Sequence, residues 1–335
     1  MHRSQPTITI NITVQEVAGR WLVLALPVKF RRAGGSMAYF IQLVFAGIAV
    51  GCIYALIGLG FSIIYKASGV INFAQGEFLL VSVYIISAGV FEWHLGFFLA
   101  LLLAIVVTVA IALLFERFVL TRMIGRPVFS ILMITIGLDI VLRTSISVRW
   151  GSNPRPPGTP FAITSGYNFA GVHFATSDIW TIIVTILLCI ALYYFFRATK
   201  YGLAMRATAL DQEAALAMGI NIRTVYALAW SISAVVATIG GIFLASKSVA
   251  IDPTLGGVAL LAFPAIILGG LDSVSGAVLG GIIIGLAEVL TAGYESHFAN
   301  VLGAGFHEIT PYLIMILVLL IRPYGLFGTR KVERV

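Results

Sequence analysis

Charge is scarce in this sequence. Only 10% of its 335 residues are Asp, Glu, Lys or Arg, where a soluble domain carries about 25%. Apolar residues make up 60%. A water-soluble fold of this length could not hide that much apolar surface, and a disordered chain would need the opposite balance. Cysteine is scarcer still. Cys52 and Cys189 both sit in apolar stretches, so neither a disulfide nor a thiolate metal site is expected. Motifs for chemistry are missing too. His307–Glu308 is followed by Ile309, Thr310 and Pro311, so no second histidine completes a zinc-binding HExxH. There is no GxSxG, and no phosphate-binding GxxxxGK loop. No catalytic residue, metal or cofactor is therefore assigned. What the sequence does have is long apolar runs, and these imply a polytopic membrane protein.

A spanning helix needs roughly 20 mostly apolar residues. Candidates are 39–65, 78–91, 95–115, 128–147, 179–196, 225–246, 258–271, 274–292 and 309–321. The first is longer than one span and runs into Gly58, Gly60, Lys66 and Gly69. Segments 258–271 and 274–292 are split by Gly269, Gly270 and Asp272. Breaks at membrane depth are tolerated only where protein or a cavity surrounds them. The fold expected is an all-α transmembrane bundle of about eight to ten crossings, some broken or re-entrant.

The net charge of +7 is entirely terminal. Residues 1–36 contribute +4 and residues 322–335 contribute +3, while 37–321 hold twelve basic and twelve acidic residues. Basic tails of this kind point to topology rather than to nucleic acid. Two internal clusters, Arg117/Arg122/Arg126 and Arg197/Lys200/Arg206/Arg223, join them. Placing both clusters and both termini in the cytoplasm obeys the positive-inside rule and requires an even number of crossings. Residues 1–36 read as a basic extension or a misplaced start ahead of Met37. Their apolar run, Trp21–Val28, is too short to span and has no cleavage-site pattern after it. Residues 329–335 form a basic tail. The Pro-rich stretch 148–178 is expected to be an external loop, either a passive connector or a docking surface.

Small residues recur at four-residue spacing in Gly47/Gly51, Gly276/Gly280 and Gly281/Gly285, which suits close helix packing. Ionisable residues inside apolar segments are costly unless shielded. Thr135, Asp139 and Arg143 share one helix face. They either neutralise one another or line a substrate route. Glu288 falls within about 60° of Gly281 and Gly285 around a helix, so it faces packing rather than lipid. It either pairs structurally or lines a pathway. The stretch GVINFAQGEF, Gly69–Phe78, sets Asn72, Gln75 and Glu77 at a break between two apolar segments. Such a cluster suits a lined cavity or a polar hinge that satisfies freed backbone groups.

The loop between 179–196 and 225–246 contains helix-forming sequence over Leu203–Met218, with Gly219 as a stop. Its alanines allow close docking, and Asp211 and Glu213 give it a polar face. Glu213-Ala214-Ala215, with Gly219 four residues on, resembles the EAA loop of ABC-importer permeases. The wider string MRATALDQEAALAMGIN, from Met205, is similar to the permeases of branched-chain amino acid ABC importers. IGLGFSIIY (Ile57–Tyr65), GVINFAQGEF, TIGLDIVLR (Thr135–Arg143), AIILGGLDSVSGAVLGG (Ala265–Gly281) and RPYGLFG (Arg322–Gly328) follow in the family's order. The resemblance covers about 37–328. Two departures bear on the cargo: Gln75 stands where many members carry His, and Asp139 where a small hydroxyl residue is common.

The resemblance implies a multi-pass inner-membrane permease with two ATP-binding subunits, a second permease and an external solute-binding protein. Arg206, Asp211, Glu213, Ala214, Ala215 and Gly219 would form the ATPase-coupling loop. Asn72, Gln75, Glu77, Thr135, Asp139 and Glu288 are the candidate pathway. Urea and short-chain amide importers use similar permeases, so these cargoes stay open. An ion-coupled secondary transporter using Glu77, Asp139 or Glu288 is the rival mechanism. A membrane-embedded enzyme is the rival class, disfavoured by the missing motifs.

Overall fold

The computed structural model describes residues 36–123, 126–161, 165–169, 172–303 and 305–328. The expectations for 1–36 (Ser36 apart) and for 329–335 fall outside them. Twelve helices are described: α1 Ser36–Ser68, α2 Gln75–Phe91, α3 Phe97–Phe118, α4 Val128–Trp150, α5 Thr176–Ala198, α6 Lys200–Leu210, α7 Gln212–Ala217, α8 Ile222–Ser246, α9 Val258–Leu261, α10 Phe263–Gly269, α11 Val274–Leu302 and α12 Phe306–Ile321. Six are long and apolar enough to span a bilayer, and three shorter apolar stretches, Gln75–Phe91, Pro253–Gly269 and Phe306–Ile321, run between them. The described residues thus hold nine apolar helical stretches, six of them of spanning length, against the eight to ten crossings expected.

The core is built on α1 and α11, which pack antiparallel through glycine. A Cβ on Gly51 would lie 2.6 Å from the Ile282 Cα, and one on Gly281 would lie 2.6 Å from the Ala55 backbone nitrogen. With no hydrophobic force between helices in lipid, such backbone contact supplies the dispersion and packing energy. The four-residue spacing is thus a packing device. Gly51→Ala is expected to cost about 1–3 kcal/mol by overpacking, read as a lower midpoint in thermal unfolding of the detergent-solubilised chain. The core is finished by large buried side chains, among them Tyr54, Phe78, Tyr84 and Trp230.

One end of the bundle carries a cluster of basic residues. Lys66, Arg206, Asp272 and Tyr324 border a common cavity there, and Arg126 lies near Gln212 in an adjoining one. The other end carries an extended cap. Gly166–Phe169 and Val172–Ala175 pair as an antiparallel hairpin, with Gly166 opposite Ala175. Phe174 of the hairpin meets Phe45 of α1 edge-to-face at 4.8 Å between ring centres. The Pro-rich stretch before it lies across the bundle as a strap. Arg155 exchanges backbone hydrogen bonds with Ile251 (2.9 and 2.7 Å), and Ser87 donates to the Pro156 carbonyl at 2.8 Å. Arg155 also pairs with Glu92, and this hydrogen bond holds the Glu92 carboxyl below its usual range. The expected all-α bundle is thus borne out, with one small hairpin added where a loop gains apolar contact with α1.

One further expectation changes. The Leu203–Met218 helix begins at Lys200 and is broken at Asp211, which leaves helical geometry at φ −154°. Its carboxylate takes the Ala214 N–H at 2.9 Å and so caps a new helix, α7. The two ends of the described body also lie at opposite faces. Tyr39 of α1 donates to the Gly293 carbonyl near the far end of α11, whereas 322–328 packs on Gly269–Asp272 at the basic end. The expectation that both termini are cytoplasmic falls on residues 1–35 and 329–335, outside the described residues.

Candidate functional site

Between α1 and α2 the chain turns at Gly69, whose φ of +69° a side chain would oppose. The hinge frees backbone groups at membrane depth, and side chains satisfy them. The Asn72 Oδ1 accepts from the Ala74 N–H at 3.1 Å, and the Thr135 Oγ1 accepts from the Phe73 N–H at 3.4 Å. Gln75 sits over Gly60. Its amide donates to the Ser233 carbonyl at 3.4 Å, and its oxygen accepts the Ser233 hydroxyl at 2.7 Å.

Two residues on, the Glu77 Oε1 accepts both Nε and Nη2 of Arg143, at 3.1 and 2.8 Å. The same Nη2 reaches Asp139 at 3.1 Å. Glu77 is fully buried, while the Arg143 side chain is 42% exposed. The arginine thus answers a carboxylate that could not otherwise stay charged in a low-dielectric core. Thr135, Asp139, Arg143 and Ser147 recur every fourth residue and form one polar stripe along α4. Five of the six candidate pathway residues converge on this hinge and stripe. Glu288 does not. It accepts the Tyr54 hydroxyl at 2.7 Å, buried in the α1–α11 seam.

Two spaces adjoin the hinge. A cavity of about 200 Å³ is bounded by Asn72, Thr135, Trp230, Gln212 and Tyr226 among others. A larger one of about 700 Å³ lies toward the basic end, between Lys66, Arg206, Asp272 and Tyr324. Ser68 and Gln212 belong to both walls.

At the same end, α6 and α7 present a mixed surface. Arg206, Asp211, Glu213 and Ala214 are exposed, and Ala215 is buried against the bundle. Leu210 and Met218 are 89% and 83% exposed. Gly219 ends α7 in the left-handed region, at φ +82°. Ala215 therefore holds the loop to its own chain, and Glu213 and Ala214 face outward.

Residues 43–321 match the family described as Branched-chain amino acid transport system / permease component. The chain belongs to this family. It is 33% identical to the Escherichia coli K12 high-affinity branched-chain amino acid transport system permease protein LivH, over 89% of this chain and 98% of LivH. It is 30% identical to BraD, a permease protein of the same description from Pseudomonas aeruginosa, over 89% of this chain and 98% of BraD. It is also 25% identical to E. coli K12 LivM, a permease protein of the same description, over 82% of this chain and 67% of LivM.

As a member of this permease family the chain is a multi-pass membrane protein, and its relatives are transport components. Three residues of the permease site escaped sequence reasoning. Gln212 donates to the Tyr226 hydroxyl at 3.2 Å and stands between the two cavities. Ser233 closes the Gln75 contact, and Trp230 walls the smaller cavity. Gln212 and Ser233 lie in ordinary helical sequence, and only the fold brings them to residues 68–75. Arg143 carried a signal, its four-residue spacing from Asp139, but its partner Glu77 is 66 positions away.

Proposed function

We propose that this permease is the membrane subunit of an ABC importer for branched-chain or related apolar amino acids. Two partner ATPases, a second permease and an external solute-binding protein complete it. The observation that carries this reading is the outward set of Glu213, Ala214, Leu210 and Met218 on a short capped helix at the basic end. A cluster of exposed apolar and small side chains beside cations suits a groove on a soluble partner. The positive-inside rule puts that end in the cytoplasm, where ATP is.

α4 supports a second permease. Only 17% of its apolar window is buried, yet it is the least hydropathic of the six long spans. α3 and α5 are similarly bare, at 22%, but far more apolar, so lipid suits them. A half-exposed Arg143 costs several kcal/mol against lipid. Gly137 on α4 has open space over it. A sister chain covering α4 removes that cost and encloses the Thr135–Ser147 stripe as a shared route. That E. coli K12 has two permease proteins of this description, LivH and LivM, favours a sister over an identical copy. ATP-driven closure of the ATPases would move α6 and α7, and through Gln212 the hinge at Asn72. The cavities would then open to one face and afterwards the other. Neither a nucleic acid nor a resident cofactor enters the cycle.

The complex with its ATPases, reconstituted in vesicles with the external binding protein, should accumulate leucine only when ATP reaches the cytoplasmic face. Leucine uptake by the permease alone under an ion gradient would overturn the reading in favour of secondary transport. ATP-driven uptake of urea or acetamide with none of leucine would keep the mechanism and replace the cargo.

A further inference from the structure

A basic side chain held within a membrane protein needs an opposite charge nearby. Among the described residues four are half-buried: Lys66, Arg143, Arg155 and Lys247. Three of them have a carboxylate at ion-pair distance. Arg143 has Glu77, Arg155 has Glu92 and Lys247 has Asp178. Lys66 has none among the described residues. The Phe196 ring lies 6.0 Å from its Nζ, at the outer limit of a cation–π contact. Nor is this ammonium sealed off, as the partnerless nitrogens of Asn72 and Trp230 are. It belongs to the wall of the larger cavity, about 700 Å³ at the basic end. Two other ionic side chains line that space, Arg206 of α6 and Asp272 ahead of α11. Asp272 attracts Lys66 and Arg206 repels it. Arg206 likewise forms no ion pair among the described residues. The wall therefore carries one positive charge in excess. Tyr65 and Tyr324 share it with apolar Ile267, Leu271 and Leu319.

We propose that this cavity binds a phosphate oxyanion between Lys66 and Arg206, supplied by an anionic phospholipid of the cytoplasmic leaflet. A phosphodiester carries a single negative charge, which balances the excess. Its oxygens accept from the ammonium and from the guanidinium fork. The depth is that of a headgroup. α1 ends at Ser68 and α12 at Ile321, and Ser68 and Pro323 both stand in the wall. Lipid reaches the mouth along α12, where Leu320 and Ile321 are 83% and 73% exposed beside Leu319. Ile267 and Leu271 then take the first methylenes of an acyl chain, which a free phosphate leaves uncovered. Basic pockets between helices on the cytoplasmic side of a membrane hold anionic headgroups in this way. A phosphate seated here ties α6 to the end of α1, next to the hinge at Gly69. The site goes beyond the transport reading, because it does not depend on which solute is carried. Only the choice of leaflet rests on the orientation proposed above.

The test uses the purified full complex, stripped of lipid in neutral detergent and titrated with single phospholipids. Native mass spectrometry counts the bound lipid. Phosphatidylglycerol should bind about fivefold more tightly than phosphatidylcholine of the same acyl chains, the effect of one net charge. Lys66→Gln and Arg206→Gln should each weaken phosphatidylglycerol binding about fivefold, and together about 25-fold. Arg197→Gln is the control. Arg197 is exposed at the same end of the bundle but outside the cavity wall, so this variant should bind as wild type. Glycerol 1-phosphate has the charge without the acyl chains and should not displace the lipid at equal concentration. Displacement by it overturns the lipid source and gives the anion site to a soluble ester. Equal binding of the two lipids, or wild-type binding by the double variant, overturns the site. A loss in Arg197→Gln as large as in Lys66→Gln overturns it too, by marking a diffuse positive surface. If the double variant fails to assemble, the comparison of lipids on the wild-type complex decides. Leucine uptake is not the readout, so failure here leaves the transport reading standing.

Discussion

Arg143→Met should destabilise this permease by about 3–5 kcal/mol, the cost of leaving a buried charge without its partner. Glu77 is fully buried, and Arg143 supplies two hydrogen bonds to its Oε1. The other oxygen, Oε2, has no partner, so nothing else takes over when the guanidinium goes. Asp139 then adds repulsion from the same side. Thermal unfolding in detergent should show a markedly lower midpoint and loss of leucine uptake. The double variant Glu77→Gln/Arg143→Met removes both charges, and most of the stability should return. Stability but not uptake should recover, because the stripe on α4 still lacks its cation. An Arg143→Met protein as stable as wild type would show that Glu77 is not held by this pair.

Ala214→Arg should abolish ATP-dependent uptake while the chain inserts and folds. Ala214 is exposed, so the new side chain meets nothing in its own protein, but it blocks close approach by an ATPase. Loss of a central contact of this kind is worth about 2 kcal/mol or more. Co-purification of the ATPases should fall accordingly, with unchanged expression and melting behaviour. Ala215→Arg is the control. Ala215 is 3% exposed, so that variant should fail by misfolding of the loop instead. Wild-type uptake and ATPase capture by Ala214→Arg would remove α7 from the coupling role.

The layout of the bundle was legible wherever physics leaves a local trace. Apolar length marks a span, and glycine at four-residue spacing marks backbone contact, as Gly51 and Gly281 bear out. The breaks after Gly69 and at Gly270 were visible because both positions need backbone that other residues resist. The loop was harder. Its alanines and leucines favour continuous helix, and they mask Asp211, whose carboxylate competes for a nearby backbone N–H and ends one helix to begin another. The hairpin at 166–175 offered no such trace, because its order comes from Phe45 on a distant helix. For the site, residue type and helical face were readable, and pairing across sequence was not. Asp139 and Arg143 announce each other; Glu77, Gln212 and Ser233 find their partners only when the passes assemble. Glu288 illustrates the converse. Its helix face was readable in the sequence, and its hydrogen bond with Tyr54 was not.

The glycine seam has a consequence for how the chain is made. α1 is synthesised first of the described helices and α11 next to last, so more than two hundred residues separate Gly51 from Gly281. Domains assemble roughly in order of synthesis, and contacts distant in sequence close late. α1 must therefore wait in the bilayer with its glycine face bare while six further apolar stretches arrive. During that interval the same face can join any helix offering small residues, including the α11 of another copy. Chains stalled before residue 274 should be the ones that quality-control proteases meet, and α11 acts as the latch that releases the finished permease from that risk.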